Sequence, residues 1–527
     1  MRRWEARGLS AREADVVIVG AGPVGGVVAD RLAAAGVDVL CLEQGGWPGP
    51  MAAGDRWELA GRGRAHFSPN RRRGPGDYPI DDRDCDLDVL TGNGVGGGTV
   101  LWGAQWERYL PGDFRVRSLD GVAEDWPIGW DDLAPYYERL DRDFGAAAEP
   151  GDPAFPDNGA APYPALPIME LGRRVAEAHN RLGWHWWPGP NVVGPPEQMA
   201  AARAGGYPPG LRARASETHW RRAERAGARL ITGAHVRRLR TGRPDRVDAV
   251  EWIDASGAAR VTAAGAVVLA AGGIGTPRLL LASAGAGHPA GLANGSGLVG
   301  RNLMLHPFTR VVGLFDEPFA GVQGYWGQLL HSLEFAETDR SRGFVRGAKW
   351  NLGQGFGPVA AALHPWPDGV RWGPGLAGHL RRWVGRAGIW GITADDLPDV
   401  DNRVELDPVR ADAWGSPVPV VRYRTPPDAA RILAFNAERA RESFLAAGAR
   451  EVLVAPRLRE FGWHQLGTAR MGTDPRRSVV GPDGRAHEVP NLFVLDGSTF
   501  VTGSSLNPTA TICAFALRAA ELMLGAA

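Results

Sequence analysis

The sequence carries no excess of charge of either sign. Lysine and arginine together number 59, as do aspartate and glutamate, so the formal net charge at pH 7 is zero. Proteins that bind nucleic acid or anionic membranes usually present a basic excess to the phosphates. The balance therefore argues against nucleic acid and against a membrane surface as partners.

Cysteines and long apolar runs are also scarce. The three cysteines, Cys41, Cys85 and Cys513, are too few for a disulfide framework. Cys41 and Cys513 lie in apolar runs, where we expect small buried residues. No segment offers the about 18 consecutive apolar residues of a membrane-spanning helix, and the residues before the first strand lack the apolar stretch of a secretory signal. We therefore predict a cytoplasmic protein with no membrane partner, and we predict no metal site.

Glycine (73), proline (41) and tryptophan (20) are abundant in this chain of 527 residues. A single hydrophobic core stops growing near about 250–300 residues, so the length predicts at least two domains. Glycine and proline at these levels indicate many tight turns. Tryptophans mostly fill cores, but this many leave some for stacking on the apolar faces of sugar rings.

The most informative motif is a glycine-rich turn between a strand and a helix. A β-branched run at 16–19 is followed by Gly20, Gly22 and Gly25, and then by apolar residues at helical spacing. A second apolar run, at 37–42, leads into Glu43, close to the spacing of about 20 residues typical of this motif. The pattern predicts a dinucleotide site in a βαβ unit.

Each residue of the motif has a specific role in such a site. Gly20 permits the tight turn, Gly22 lets the backbone approach a pyrophosphate, and Gly25 lets the helix pack closely on the strand. The helix amino terminus attracts the phosphates, and Glu43 accepts hydrogen bonds from the ribose hydroxyls. The motif alone does not distinguish NAD from FAD.

Two later segments of the chain have the strand-and-turn pattern that is typical of a nucleotide-binding domain. A strand at 267–269 runs into a glycine turn, and the run 491–496 is a further strand, followed by a turn and an apolar helix from Pro508. Residues 311–460 lack the βαβ rhythm, and their short alternating runs predict an antiparallel sheet with covering helices. We predict an α/β fold of two domains: a doubly wound dinucleotide-binding domain at 12–150, 215–310 and 460–527, and a substrate domain with a mainly antiparallel sheet at 151–214 and 311–459.

Three segments resemble the glucose–methanol–choline (GMC) oxidoreductase family. They are 95–103 (VGGGTVLWG), 464–475 (HQLGTARMGTDP) and 491–520. With the amino-terminal motif they span both ends of the chain. Within the family, stretches such as DWPIGWDDLAPYYERLD and SETHWRRAERAGARLITGAHV are most similar to the bacterial sugar and glycoside oxidoreductases, the branch of pyranose oxidase, glycoside 3-oxidase and gluconate dehydrogenase.

The resemblance implies an FAD cofactor whose ADP half is held by the amino-terminal motif. Relatives that attach FAD covalently carry a histidine just before the tryptophan of the first segment, where this chain has Leu101, so noncovalent FAD is implied. The further cofactor-binding residues implied are Gly97, Gly98, Thr99 and Trp102 near the flavin and pyrophosphate, Val236 at the adenine, Gly272 at its glycine turn, Asp496 and Gly497 near the pyrophosphate and ribityl chain, and Pro508 and Thr509 at the isoalloxazine.

The resemblance also implies the catalytic residues. Flavin-dependent oxidation of an alcohol needs a base that works near neutral pH, and imidazole, with a pKa of about 6.5, suits this task. His464 is the implied base, whereas we interpret His306 as structural. Asn507 would hydrogen-bond the substrate oxygen as it gains negative character. Alternatively Asn507 caps the last helix, because Pro508 suits a first helical position.

The resemblance to the sugar and glycoside branch thus implies FAD-dependent oxidation of a secondary alcohol of a pyranose sugar or glycoside, at C2 or C3, with O2 or a quinone- or dye-like electron acceptor. Stacking candidates for the sugar are Trp102, Trp106, Trp184, Trp186 and Trp187. The alternative function is a dehydrogenase of another alcohol or polyol that uses an acceptor other than oxygen. An NAD-linked dehydrogenase would not explain the carboxyl-terminal strand and turn, and a noncatalytic flavoprotein would not explain His464.

Overall fold

The computed structural model describes residues 14–49, 68–74, 76–156, 159–192, 212–319, 328–354, 358–363, 373–455 and 458–525. The strands are β1 (Ala14–Val19), β2 (Val39–Glu43), β3 (Trp187–Pro188), β4 (Arg229–Thr232), β5 (His235–Arg240), β6 (Ala249–Ile253), β7 (Ala259–Leu269), β8 (Phe308–Leu314), β9 (Leu330–Ser332), β10 (Ala348–Gln354), β11 (Ala387–Ala394), β12 (Arg403–Ala411), β13 (Pro417–Arg422), β14 (Glu451–Val454) and β15 (Leu492–Val494).

The α-helices lie between these strands and at the end of the chain. They are α1 (Pro23–Ala34), α2 (Pro69–Arg72), α3 (Val116–Asp120), α4 (Trp130–Phe144), α5 (Met169–Leu182), α6 (His219–Arg225), α7 (Gly272–Ala282), α8 (Pro358–Leu363), α9 (Leu376–Trp383), α10 (Pro427–Ala446) and α11 (Thr509–Gly525).

The larger sheet has seven strands in the order β4-β2-β1-β7-β6-β5, and β15 also pairs with β7. Strand β7 joins its two parts. Its amino-terminal half pairs antiparallel with β6, while Ala264–Leu269 pairs parallel with β1, and Val267–Leu269 pairs parallel with β15. The parallel strands β1 and β2 are apolar and buried almost throughout, because α1 and α11 belong to the same hydrophobic core.

The smaller sheet is antiparallel, with six strands in the order β14-β8-β11-β10-β9-β3. One face packs against α5 and α10 through apolar residues such as Trp350, Trp390 and Phe444. The alternate residues of β10 and β11, including Asn351 and Thr393, line a cleft on the opposite face. The prediction of an antiparallel sheet with covering helices in 311–460 is confirmed.

Element bounds differ from the sequence predictions by a few residues. Strand β2 begins two residues later than the apolar run at 37–42, and α7 already begins at Gly272 instead of at Thr276. The run ITGAHV is two strands and not one, because Gly233 adopts a left-handed backbone (φ +68°) between β4 and β5. Strand β4 pairs parallel with β2, whereas β5 pairs antiparallel with β6.

The larger sheet draws its strands from residues within 14–43, 229–269 and 492–494, and the antiparallel sheet draws its strands from residues between 187 and 454. The domain limits themselves stay a prediction. All three cysteines are free and buried. Among the described residues, no helix has both the length and the apolar character that crossing a membrane requires.

Candidate active site

A cleft of about 600 Å³ lies where the two sheets meet. Its walls combine the glycine-rich turn after β1, the end of β2, the first residues of α7, the segment before α11, and the inner face of the antiparallel sheet. Its lining brings together most of the residues that the sequence predicted for the site, namely Gly20, Gly22, Glu43, Gly97, Gly98, Thr99, Trp102, Val236, Gly272, His464, Asp496, Gly497, Asn507, Pro508 and Thr509. Of the residues expected at the site, Gly25 lies behind the cleft wall.

The glycines after β1 are required by close contacts. Gly20 has φ +102°, and a Cβ there would lie 2.6 Å from the carbonyl oxygen of Ala270. A Cβ on Gly25 would lie 2.1 Å from the carbonyl oxygen of Gly20, so α1 packs directly on the turn. At Gly22 a Cβ would meet nothing within 4 Å, and this backbone is open to the cleft. The amino terminus of α1 is thus exposed to an anionic ligand.

Glu43 is held in place by backbone amides. Its Oε2 accepts the N–H of Ala21 at 2.7 Å, and its Oε1 accepts those of Gly45 and Gly94 at 2.8 and 3.0 Å. Burial raises the pKa of this carboxyl, and the three N–H groups oppose that rise. Since each carboxylate oxygen can accept more than one hydrogen bond, Glu43 retains acceptor capacity for ribose hydroxyls.

The second glycine-rich segment packs on the first. Gly97 has φ +51°, and a Cβ on it would lie 2.9 Å from the Cα of Gly22, whereas Gly98 has open space. The hydroxyl of Thr99 donates to the carbonyl of Gly96 and accepts the N–H of Ala215. Thr99 therefore supports the segment through its side chain instead of presenting its hydroxyl to a cofactor.

Asp496 serves as an anchor for α7. Its Oδ2 accepts the N–H of Gly272 at 2.8 Å and the hydroxyl of Thr276 at 2.6 Å, and its Oδ1 accepts the hydroxyl and N–H of Ser498. The carboxylate thus stabilises the amino terminus of α7 beside the cleft. Val236 lies at an irregularity of the β5–β6 ladder and lines the cleft.

His464 and Asn507 lie side by side at the end of the cleft formed with the antiparallel sheet. Nε2 of His464 is 3.4 Å from Nδ2 of Asn507, and Nδ1 of His464 is 3.0 Å from Nδ1 of His306. His306, which the sequence suggested as structural, is therefore a direct partner of the predicted base. Burial, with smaller contributions from His306 and Lys349, holds the pKa of His464 well below its usual 6.5. The imidazole is accordingly neutral, as a base must be.

The two sequence hypotheses for Asn507 differ in what its amide contacts. Helix α11 begins at Thr509, two residues after Asn507, and the helical N–H of Ile512 bonds to the carbonyl of Pro508. The Asn507 amide instead contacts Nζ of Lys349 through Oδ1 at 2.9 Å, and His464 through Nδ2. These contacts favour a role at the substrate oxygen over a helix cap.

Lys349 on β10 is a site residue that the sequence reasoning missed. Its side chain is fully buried, and its Nζ contacts Glu107 and Gln105 in addition to Asn507. A signal was present in the composition, because this is the only lysine among the 59 basic residues of the chain.

Most of the tryptophans proposed for stacking on a sugar lie outside the cleft lining. Trp102 lines the cleft and donates to the carbonyl of Ala213, while Trp106 is buried behind it with ring centroids 6.0 Å apart. Trp184, Trp186 and Trp187 do not line this cleft. Trp463, which is 37% exposed, does.

A second polar cluster lies outside the cleft. Asp152 accepts Nε2 of His185 at 2.9 Å and Nε2 of His331 at 2.7 Å, and these three side chains are close enough to hold a metal ion. However, Nδ1 of His185 accepts the N–H of Leu333, so the proton of a neutral His185 is on Nε2. This nitrogen donates to Asp152 and offers no lone pair to a metal.

Comparisons with known proteins agree with this geometry. Two family models described as GMC oxidoreductase match residues 15–308 and 398–516. The chain is 37% identical to a 2-methyl-1,2-propanediol dehydrogenase from Mycolicibacterium austroafricanum, over 97% of this chain and 95% of that protein. It is 32% identical to a paromamine 6'-oxidase from Streptomyces fradiae, over 99% of this chain and 93% of that protein.

A further relative and a solved structure extend the comparison. The large subunit of a fructose dehydrogenase from Gluconobacter japonicus is 29% identical, over 97% of this chain and 98% of that protein. The crystal structure of pyridoxine 4-oxidase from Mesorbium loti superposes with a TM-score of 0.68 at 20% identity, over 97% of this chain and 99% of the other, which shows a shared fold.

The cofactor follows from the family and fits the residues present. The open backbones of Gly22 and Gly98, the amino termini of α1 and α11, and the acceptor capacity of Glu43 suit the phosphates and ribose of FAD. No histidine occupies position 101, in keeping with noncovalent FAD. The chain belongs to the GMC oxidoreductase family and is an FAD-dependent oxidoreductase that acts on alcohols.

Proposed function

We propose that this enzyme oxidises a secondary alcohol of a pyranose sugar or glycoside, at C2 or C3, with His464 as the base. The observation that carries the proposal is the mixed chemistry of the sheet face lining the cleft. Arg310, Gly391 and Asn351 are direct neighbours across three adjacent strands, β8, β11 and β10. A sugar ring, with apolar faces and polar edges, suits such a surface.

Gly391 forms a depression in this face. A Cβ there would lie 2.7 Å from the ring of Phe308 and 2.8 Å from Oδ1 of Asn351, so any larger residue would fill the space between them. The Asn351 amide lines the cleft, where it can bind a substrate hydroxyl. Phe308 and Trp463 contribute the apolar surface.

The reaction uses the gap between Asn507 and His464. At 3.4 Å the contact between their nitrogens is long for a hydrogen bond, and a substrate oxygen can replace it by accepting from Nδ2 of Asn507 and donating its proton to Nε2 of His464. When bound, FAD supplies the acceptor for the hydride of the carbinol carbon. Asn507 stabilises the oxygen as it gains negative charge.

Relatives named for sugar substrates support this choice, namely the paromamine oxidase and the fructose dehydrogenase subunit. The second candidate is oxidation of a small diol or polyol with an acceptor other than oxygen. The 37% identity to a 2-methyl-1,2-propanediol dehydrogenase, over nearly the full length of both chains, favours it.

The test is anaerobic mixing of the holoenzyme with candidate substrates while the flavin absorbance is followed. The panel contains glucose, an O-glycoside, a C-glycoside, gluconate, 2-methyl-1,2-propanediol, choline and simple alcohols. The proposal expects bleaching by a sugar or glycoside. Bleaching by the diol, with no response to any sugar, would establish the second candidate. Reoxidation with O2 and with a quinone dye then identifies the electron acceptor.

A further inference from the structure

The only lysine of the chain occupies a buried site with a complete set of partners. Lys349 has no exposed side-chain surface, and it lies on β10, two residues before Asn351. Its Nζ contacts three acceptors: Oε1 of Gln105 at 2.8 Å, Oδ1 of Asn507 at 2.9 Å and the carboxylate of Glu107. An ammonium has three N–H donors, so each donor has one acceptor.

This arrangement determines which way the Asn507 amide faces. Because an ammonium can only donate, the Asn507 atom beside it must be the carbonyl oxygen. The amide nitrogen Nδ2 then faces Nε2 of His464 at 3.4 Å. Since Nδ2 also only donates, Nε2 of His464 must present its lone pair, and the proton of the neutral imidazole lies on Nδ1.

The partner of that proton is present. Nδ1 of His464 lies 3.0 Å from Nδ1 of His306, which accepts the N–H and therefore carries its own proton on Nε2. If the Asn507 amide were reversed, its oxygen would favour a proton on Nε2 of His464. Nε2 would then carry a proton and would present no lone pair to the cleft for deprotonating a substrate.

We propose that Lys349 is a positioning residue for the reaction: it fixes the orientation of the Asn507 amide and, through it, the His464 tautomer whose Nε2 is free to accept the substrate proton. The inference rests on the proposed role of His464 as base. It also gives a reason for a lysine at this position in a chain whose other Lys/Arg residues are all arginines. A planar guanidinium cannot place three donors on one nitrogen inside a fully buried site.

The test variant must not leave an unpaired buried charge. Lys349→Met alone would strand the Glu107 carboxylate, so the informative protein is the double variant Lys349→Met/Glu107→Gln. Removing a buried ion pair that does not line the cleft, with Arg108→Met/Asp141→Asn, controls for general loss of stability.

The direct readout is the tautomer of His464, measured by ¹⁵N NMR on histidine-labelled holoenzyme and assigned from the resonance lost in His464→Gln. The expected result is a proton on Nδ1 in the wild type and in the Arg108→Met/Asp141→Asn control, with the proton wholly or partly on Nε2 in the Lys349→Met/Glu107→Gln variant. A proton on Nε2 in the wild type, or an unchanged tautomer in the double variant, would overturn the proposal. This measurement does not depend on the identity of the substrate.

The kinetic readout is the pH profile of anaerobic flavin reduction. The charged and titratable groups facing His464 are His306 and Lys349, and Glu107 is the counterion of Lys349. The double variant should reduce its flavin about 10- to 100-fold more slowly, less than the about 10²–10³-fold cost of deleting an oxyanion donor. Its acid limb should move to higher pH, because the cation is gone and the reversed amide stabilises the imidazolium. If the acid limb of the double variant does not move, Lys349 has only a structural role.

A double-mutant cycle separates action through Asn507 from a direct effect. In an Asn507→Ala background, the further change Lys349→Met/Glu107→Gln should alter the rate by less than about twofold. Additive losses would contradict the proposed route. If His464→Ala leaves flavin reduction intact, the proposed base is wrong, whereas the tautomer measurement still decides whether Lys349 orients Asn507.

Discussion

Nδ1 of His464 and Nδ1 of His306 face each other at 3.0 Å across the end of the cleft. Two neutral imidazoles in this arrangement share one proton, so one ring donates and the other accepts. His306 is fully buried and has a left-handed backbone with φ +54°, an uncommon conformation for a residue with a side chain. The geometry of the predicted base therefore depends on what holds His306.

Asp396 holds it. Oδ2 of Asp396 accepts the N–H groups of Leu305 and His306 at 2.7 and 3.2 Å, and the hydroxyl of Tyr423 at 2.7 Å. Burial raises the pKa of this carboxyl to about 7 from the usual 3.8. Because the pKa of Asp396 is higher in the folded than in the unfolded protein, the protonated carboxyl stabilises the fold at pH values below the unfolded pKa. This contribution to the free energy of unfolding is lost as pH rises toward 7.

Asp396→Asn should therefore gain stability relative to the wild type as pH rises from about 4 to about 7, because the amide has no proton to lose. Melting temperatures of both proteins at several pH values across this range provide the measurement. Asp245→Asn, at a side chain that is 71% exposed, serves as the control. A difference in Tm that does not change with pH would show that Asp396 is not the titrating group.

Acid precipitation should release FAD into the supernatant. Leu101 occupies the position where a linking histidine would precede Trp102. The absorbance of the supernatant and of the washed pellet gives the result. Flavin that stays with the denatured protein would demonstrate a covalent bond and contradict the expectation.

Gly25→Ala should lower both FAD retention and stability. The added Cβ would lie 2.1 Å from the carbonyl of Gly20, so α1 must move away from the turn that faces the cofactor. Such overpacking costs about 1–3 kcal/mol. Gly378→Ala in α9 is the control, since its Cβ would meet nothing within 4 Å. Equal FAD content and Tm in both variants would refute the close-packing argument.

Asn351→Ala tests the substrate-facing sheet. If the amide binds a substrate hydroxyl, the variant should lose about 3- to 10-fold in kcat/KM for a polyhydroxylated substrate, the equivalent of one hydrogen bond. The loss for a simple alcohol should be smaller. Equal losses for both substrates would mean that Asn351 acts on the fold and not on the hydroxyl.

Local patterns in the sequence predicted the nucleotide-binding half of the site, because its determinants are contiguous. The turn from Gly20 to Gly25 and the end of β2 at Glu43 lie within one βαβ unit, and the structure places Gly20, Gly22 and Glu43 in the cleft, with Gly25 packed behind it. The antiparallel sheet was likewise predictable as a class from its alternating runs.

The environment of His464, the proposed base, could not be predicted, because it is assembled from distant segments. His464 contacts His306, 158 positions away, and Asn507 contacts Lys349, also 158 positions away. No local periodicity encodes such contacts. The tryptophans at 184–187 show the same limit, since crowding in sequence did not place them in the cleft.

The most direct test of the central claim is the rate of anaerobic flavin reduction by an oxidisable alcohol in the wild type and in His464→Ala. Removal of the base should slow reduction by about 10²–10⁴-fold at neutral pH, while FAD content and Tm stay close to those of the wild type. Near-normal reduction by the variant at neutral pH would contradict the assignment of His464 as the base.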